Sequence, residues 1–114
     1  FLYFDTYVLL IFALQLQKLA LANYNLRRFQ EAGQYFEALR DYDPYRLDSL
    51  DTYSNILYVQ EAKAALSNLA HVAMKCDKYR PETCCIVGNY YSLKQQHEKA
   101  VLYFQRKYPI FLVY

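Results

Sequence analysis

Asn55 and Asn89 stand 34 residues apart, each one turn beyond two other residues at that interval, Asp51 and Cys85. A carboxamide carries both a donor and an acceptor, the two groups needed to grip the backbone of an extended peptide. Asp48, Asp51 and Glu82 lie near the same stretches, and Tyr58 and Ser92 follow the asparagines one helical position past the next turn. Together they predict a mildly acidic groove with asparagine rungs that selects a peptide carrying arginine or lysine. The same residues also read as solvated positions of two helices, with Asp48 and Glu82 favoured near helix N-termini by the dipole. Asparagine is a poor helix former, so its return at a fixed interval weighs toward binding.

Other chemistry is not assembled. The chain has no glycine-rich phosphate loop, no nucleophile elbow and no His and Glu at metal spacing. His97 sits in a polar corner beside Gln95, Gln96 and Glu98, far from His71. Cys76, Cys84 and Cys85 form no Cys-x-x-Cys pair, and their odd number argues against a disulfide framework, so a reducing compartment is the simpler expectation. Zinc would need four closely spaced ligands, and neither a metal nor another cofactor is expected. The net charge is +2 with both signs interspersed, which leaves no electrostatic footprint for nucleic acid or an anionic membrane.

The elements that must position the asparagines follow from a second recurrence. Asp43-Pro44-Tyr45-Arg46 returns as Asp77-Lys78-Tyr79-Arg80, again 34 residues on, which is the period of the tetratricopeptide helix-turn-helix repeat. The same offset pairs Tyr24 with Tyr58 and Leu57 with Tyr91, and links Ala32, Leu66 and Ala100; Phe36 returns at Phe104 after two periods. The chain thus reads as three repeats, residues 13 to 46, 47 to 80 and 81 to 114, after an apolar helix or partial repeat over residues 1 to 12. Two glycines and three prolines are too few for the turns of a sandwich or barrel. The expected class is all-α, an array of helix pairs in a right-handed superhelix. In such an array the first helix of each pair lines the concave face, and Asn55 and Asn89 fall there.

In chain order, residues 1 to 14 read FLYFDTYVLLIFAL, the most apolar run. It is too short to span a bilayer and is followed by Gln15, Gln17 and Lys18, and it lacks the basic start of a signal peptide; the chain reads as part of a longer one. Such a run must be buried under the first repeat or against a second copy of the protein. Phe1, Tyr3, Phe4, Tyr7, Leu10 and Phe12 are the candidate dimer face.

Repeat one predicts helices near 14–26 and 29–41 with Arg27-Arg28 as the corner, small Ala20 and Ala32 where the helices approach, and Phe29 and Phe36 as bulk. Pro44 stops the second helix. In repeat two, Leu50, Tyr53, Ser54 and Leu57 form a stripe at i, i+3, i+4 and i+7, and Leu66 and Ala70 replace the usual alanine and aromatic, so this pair is expected to pack unusually. Repeat three opens at Pro81 and carries Gly88, Tyr91, Ala100 and Phe104. From Lys107 to Tyr114 the pattern fails: either the chain turns aside or the segments are not contiguous. Tyr45 and Tyr79 predict corners whose aromatic bodies pack, while Arg46 and Arg80 pair with Asp43 and Asp77 or with acids opening the next helix.

Two segments carry a more specific resemblance. DPYRLDSLDTYSNILYV and LSNLAHVAMKCDKYRPETCCIVGNYYSLKQQHEKAVLYFQR contain residues that a generic repeat does not require. Over residues 16 to 106 the chain resembles the tetratricopeptide subunits of the anaphase-promoting complex. That resemblance implies a non-enzymatic scaffold subunit of a nuclear and cytoplasmic ubiquitin ligase that controls mitotic exit. It also implies a homodimer that contacts other subunits of the complex and whose groove receives a short arginine-bearing motif from a coactivator. A peptide-binding adaptor of another multiprotein complex, and a piece that mainly dimerises, are the other readings.

Overall fold

A computed structural model of the chain describes residues 2–107, and these form helices joined by short corners, with no strand among the described residues. The helices are α1 (Leu2–Asn25), α2 (Phe29–Tyr42), α3 (Leu50–Val59), α4 (Lys63–Asp77), α5 (Pro81–Leu93) and α6 (His97–Lys107). They divide into two compact units, residues 1–46 and 47–114.

The first unit is the antiparallel pair α1 and α2. Ala13, Leu16 and Ala20 on α1 are buried, as are Ala32, Phe36 and Leu39 on α2. Two fully buried alanines let the helix backbones approach, and Phe36 fills the space beside them. Phe12 meets Tyr42 edge-on with ring centroids 4.9 Å apart, and Tyr24 packs on Phe29 across the corner at 5.5 Å. Arg46 was expected to pair with a carboxylate. Its Nε and Nη2 donate to Gln17 Oε1 at 3.1 and 2.7 Å, tying the end of the unit back to α1.

α1 runs without a break from Leu2, so the apolar run and the helix expected near 14–26 are one element of 24 residues. This corrects the argument from length: by length and composition the stretch Asp5–Asn25 is enough to cross a membrane. Nor is the run covered by its own unit. Tyr7 is 66% exposed, and Leu10 and Phe12 also stand open to solvent. Phe1 lies outside the described residues, as do the side chains of Tyr3 and Phe4 and the irregular tail from 108 to 114.

The second unit is built around α5, which packs on α3, α4 and α6. Its core holds Leu50, Tyr53, Ile56, Leu57, Leu66, Leu69, Ala73, Ile86 and Val87. Pro81 opens α5 at a position where its missing N–H costs nothing. A β-carbon on Gly88 would lie only 2.6 Å from the ring of Phe104, so glycine is what allows α5 and α6 to close. Where the equivalent aromatic is Ala70, α3 and α4 touch over far fewer residues than α5 and α6 do. The second pair, expected to pack unusually, thus meets over a smaller interface than the third.

Three corners share one backbone device. Arg27, Glu61 and Gln95 take positive φ of 61°, 55° and 63°. In each, the next amide donates back across the helix end: Arg28 to the Asn23 carbonyl at 2.8 Å, Ala62 to Leu57 at 3.0 Å and Gln96 to Tyr91 at 2.9 Å. This is the six-to-one bond of a Schellman ending, which satisfies a carbonyl that the helix leaves unpaired. The tyrosines after the second helices behave differently from expectation. Tyr45 and Tyr79 are 76% and 81% exposed, because the chain at both points turns outward and no helix lies over the rings. Lys78 Nζ sits 5.3 Å from the Tyr79 ring.

Candidate functional site

α3 and α5 lie side by side, and residues 34 apart face one another along their seam. Three polar rungs cross it, and they include the side chains of six of the seven predicted groove residues, Asp51 entering only through its carbonyl.

The first rung is ionic. Arg80 Nη2 donates to Asp48 Oδ1 at 2.9 Å and also to Glu82 Oε2. The two carboxylates, Asp48 first, push the guanidinium further above its already high range. These side chains are partly exposed, so the pairs are worth about 0 to 1 kcal/mol each. Arg80 therefore meets the acid at the start of the next helix, one of the two partners anticipated. Its presence also changes the groove: Asp48 and Glu82 share a cation rather than standing as open anions. Asp51 is capped differently, its Oδ1 accepting from the Thr52 amide at 2.9 Å. Asp48, Asp51 and Glu82 thus bring three carboxylates to this end of the seam, with Arg80 bridging two of them.

The second rung is buried. Ser54 Oγ donates to the Asp51 carbonyl at 2.6 Å, which leaves it an acceptor toward its other neighbour. That neighbour is Asn89, whose Nδ2 donates to Ser54 Oγ at 2.8 Å and to Asn55 Oδ1 at 2.9 Å, and lies 3.9 Å from Cys85 Sγ. The direction of the serine bond fixes which end of the carboxamide faces it. Asn89, only 9% exposed, thus has its donors engaged inside the seam. What it offers a ligand is the carbonyl oxygen, an acceptor for a cationic N–H.

The third rung is exposed: Ser92 Oγ and Tyr58 Oη are 3.5 Å apart. It can rearrange at little cost when something lies over it.

Sequence reasoning found the asparagine rung but treated the two carboxamides as independent grips. It missed Ser54 and Cys85 as members, and it placed Arg80 among structural corners. The signal for Ser54 was present, since a serine in the small position of an apolar stripe needs a partner once buried. Elsewhere, His71 and His97 are exposed and on different helices, and no group of three potential ligands among the described residues is placed to hold a metal ion. Cys84 is buried, which raises its thiol above the usual range against a smaller opposing pull from Arg106.

Six helices in pairs, with corners and packing contacts recurring at the repeat interval, define an all-α tetratricopeptide-repeat protein. Relatives narrow this class. The chain is 59% identical over 91 residues, 80% of its length, to anaphase-promoting complex subunit 8 of Dictyostelium discoideum. It is 61% identical over 87 residues, 76% of its length, to subunit 8 of Arabidopsis thaliana, and 47% identical over 87 residues to anaphase-promoting complex subunit CDC23 of Saccharomyces cerevisiae. The resemblance read from residues 16 to 106 is thus to subunit 8 of that complex. The chain spans 15% of the length of the Dictyostelium and Arabidopsis relatives. No family model matches it.

Proposed function

We propose that this chain is a repeat segment of a non-catalytic scaffold subunit of the anaphase-promoting complex, a ubiquitin ligase of the cell cycle acting in nucleus and cytoplasm. Its neighbours are other subunits of that complex. The α3/α5 seam takes a short arginine-bearing motif of a coactivator. The observation that carries this reading is the Asn89 carboxamide, oriented by Ser54 and Asn55 so that its oxygen is the group on offer, in the seam whose end holds Asp48 and Glu82 about Arg80.

An arginine side chain laid along the seam meets that acceptor and then the carboxylates of Asp48 and Glu82, and its planar fork suits both. Tyr58 and Ser92 flank the peptide backbone. The apolar amino-terminal face supports homodimerisation of the same chain, because Tyr7, Leu10 and Phe12 are exposed residues in one run.

Fluorescence anisotropy with a labelled arginine-bearing coactivator peptide tests the seam. Asn89→Ala is expected to weaken binding about tenfold or more, the loss of one hydrogen bond to a charged group. An unchanged affinity for Asn89→Ala in a folded chain would remove the seam as the binding site.

A further inference from the structure

The opposite side of α5 carries a second surface that the seam does not use. At about 100° per residue, Val87, Tyr90, Tyr91 and Lys94 lie across the helix from Cys85, Asn89 and Ser92. There α4, α5 and α6 form an open cleft of about 350 Å³ lined by Ala70, His71, Met74, Val87, Tyr91 and Tyr103. A second, of about 410 Å³, continues from it past Tyr90 between Lys63, Ser67 and Lys94.

The charges here have one sign. Lys75 lines the first cavity, Lys63 and Lys94 line the second, and no Asp or Glu lines either among the described residues. Each tyrosine also has a cation beside it: Lys94 Nζ is 5.1 Å from the Tyr90 ring, Lys99 Nζ 5.4 Å from Tyr91 and Arg106 4.8 Å from Tyr103. A hydrogen bond from Ser67 and then one from Lys94 draw the Tyr90 phenol below its usual range. An apolar hollow large enough for a side chain, followed by an open channel whose charged lining among the described residues is lysine, is complementary to one kind of ligand. A basic or purely apolar segment would leave these ammonium groups facing like charge or a dry surface.

We propose that the α4/α5/α6 cleft docks a short acidic segment of a partner protein, with an aromatic or branched aliphatic side chain in the Met74 and Tyr103 hollow and carboxylates against Lys75, Lys63 and Lys94. The site lies on the far side of α5 from the seam and is independent of the arginine motif.

The test is a displayed library of random peptides panned on the whole chain, with the winners synthesised and titrated by fluorescence anisotropy. Enriched peptides are expected to place Asp or Glu beside a large apolar residue. Lys75→Glu with Lys94→Glu should weaken them about tenfold or more while leaving helicity and arginine-peptide binding in place. Replacing their acids with lysine should restore binding to that double variant and abolish it on the original chain. Tyr103→Ala should weaken them as well. Winners without acids, or acidic winners indifferent to both the charge reversal and Tyr103→Ala, would overturn the proposal. A loss of arginine-peptide binding by the seam variants alone would leave it standing.

Discussion

At the residue scale, the buried rung decides how the seam behaves. Ser54 serves two partners at once: it gives its proton to the Asp51 carbonyl and accepts from Asn89. Removing it leaves Asn89 with a bond fewer in a place that water enters poorly. Ser54→Ala is therefore expected to destabilise the chain by about 1 to 2 kcal/mol, whereas Tyr58→Phe, on the exposed rung, should change stability by under about 0.5 kcal/mol. Urea denaturation of the two variants compares them, and equal losses would mean that burial of the rung contributes nothing. Cys84 makes a different prediction. Burial raises its folded pKa above the unfolded value, so the neutral thiol is the form the fold favours. The stability linked to it is complete below the unfolded value, near 8.5 for a free thiol, and is lost as pH rises from there through the folded value. Stability measured from neutral to alkaline pH should fall less steeply in Cys84→Ala than in the unaltered chain. Mass spectrometry after brief alkylation should find Cys76, half-buried, labelled before Cys84.

At the element scale, the corners and the α5/α6 contact carry the testable claims. Arg27, Glu61 and Gln95 hold a left-handed conformation that costs a side-chain-bearing residue about 1 kcal/mol or more. Gln95→Gly should relieve that strain and raise the melting temperature by a few degrees, even though glycine loses more entropy on folding. A lower melting temperature would show that the Gln95 side chain contributes more than the strain it imposes. Gly88→Ala works the other way. It gains about 1 kcal/mol of helix propensity, but the added methyl group meets Phe104 at 2.6 Å, and overpacking of that kind costs about 1 to 3 kcal/mol. A net loss is expected, and Phe104→Leu in the same chain should recover part of it; additive losses would place the strain elsewhere. These contacts also explain what could be read from the chain beforehand. The helix pairs and the small residues at Ala20, Ser54 and Gly88 were legible because burial and period leave their mark on residue type. The left-handed corners were not, since they hold arginine, glutamate and glutamine instead of glycine and the energy comes from backbone bonds that any residue supplies. The asparagine rung was legible as a recurrence, but its internal bonding was not, because spacing along a helix says which residues meet and not which atom of a carboxamide turns inward. Tyr45 and Tyr79 misled for a similar reason: a recurring aromatic suggests packing, and here the recurrence marks a turn whose rings face solvent.

At the scale of the whole molecule, the open question of energetics is α1. In its second half only Ala13, Leu16 and Ala20 are buried, while Leu14, Leu19 and the residues from Tyr7 to Phe12 present apolar surface to water. Burying one such side chain is worth about 1.5 to 3 kcal/mol, so leaving a run of them exposed is unfavourable unless something covers it. A second copy of the chain and a lipid bilayer are two of the coverings physically open to a helix of this length and composition. Gln15, Gln17 and Lys18 interrupt the run, and Gln17 already accepts from Arg46 within the unit, so carrying the full helix into hydrocarbon would break that contact and bury a lysine. A second copy needs neither change, since only the exposed amino-terminal turns would be covered. Light scattering at micromolar concentration is therefore expected to give a dimer, and Leu10→Glu with Phe12→Lys to give a monomer of unchanged helicity. Flotation with neutral phosphatidylcholine vesicles separates the two coverings. A chain that stays monomeric in buffer and floats with the vesicles would replace the dimer face with a membrane-facing one, while a dimer that stays at the bottom of the gradient keeps α1 as the place where two copies meet.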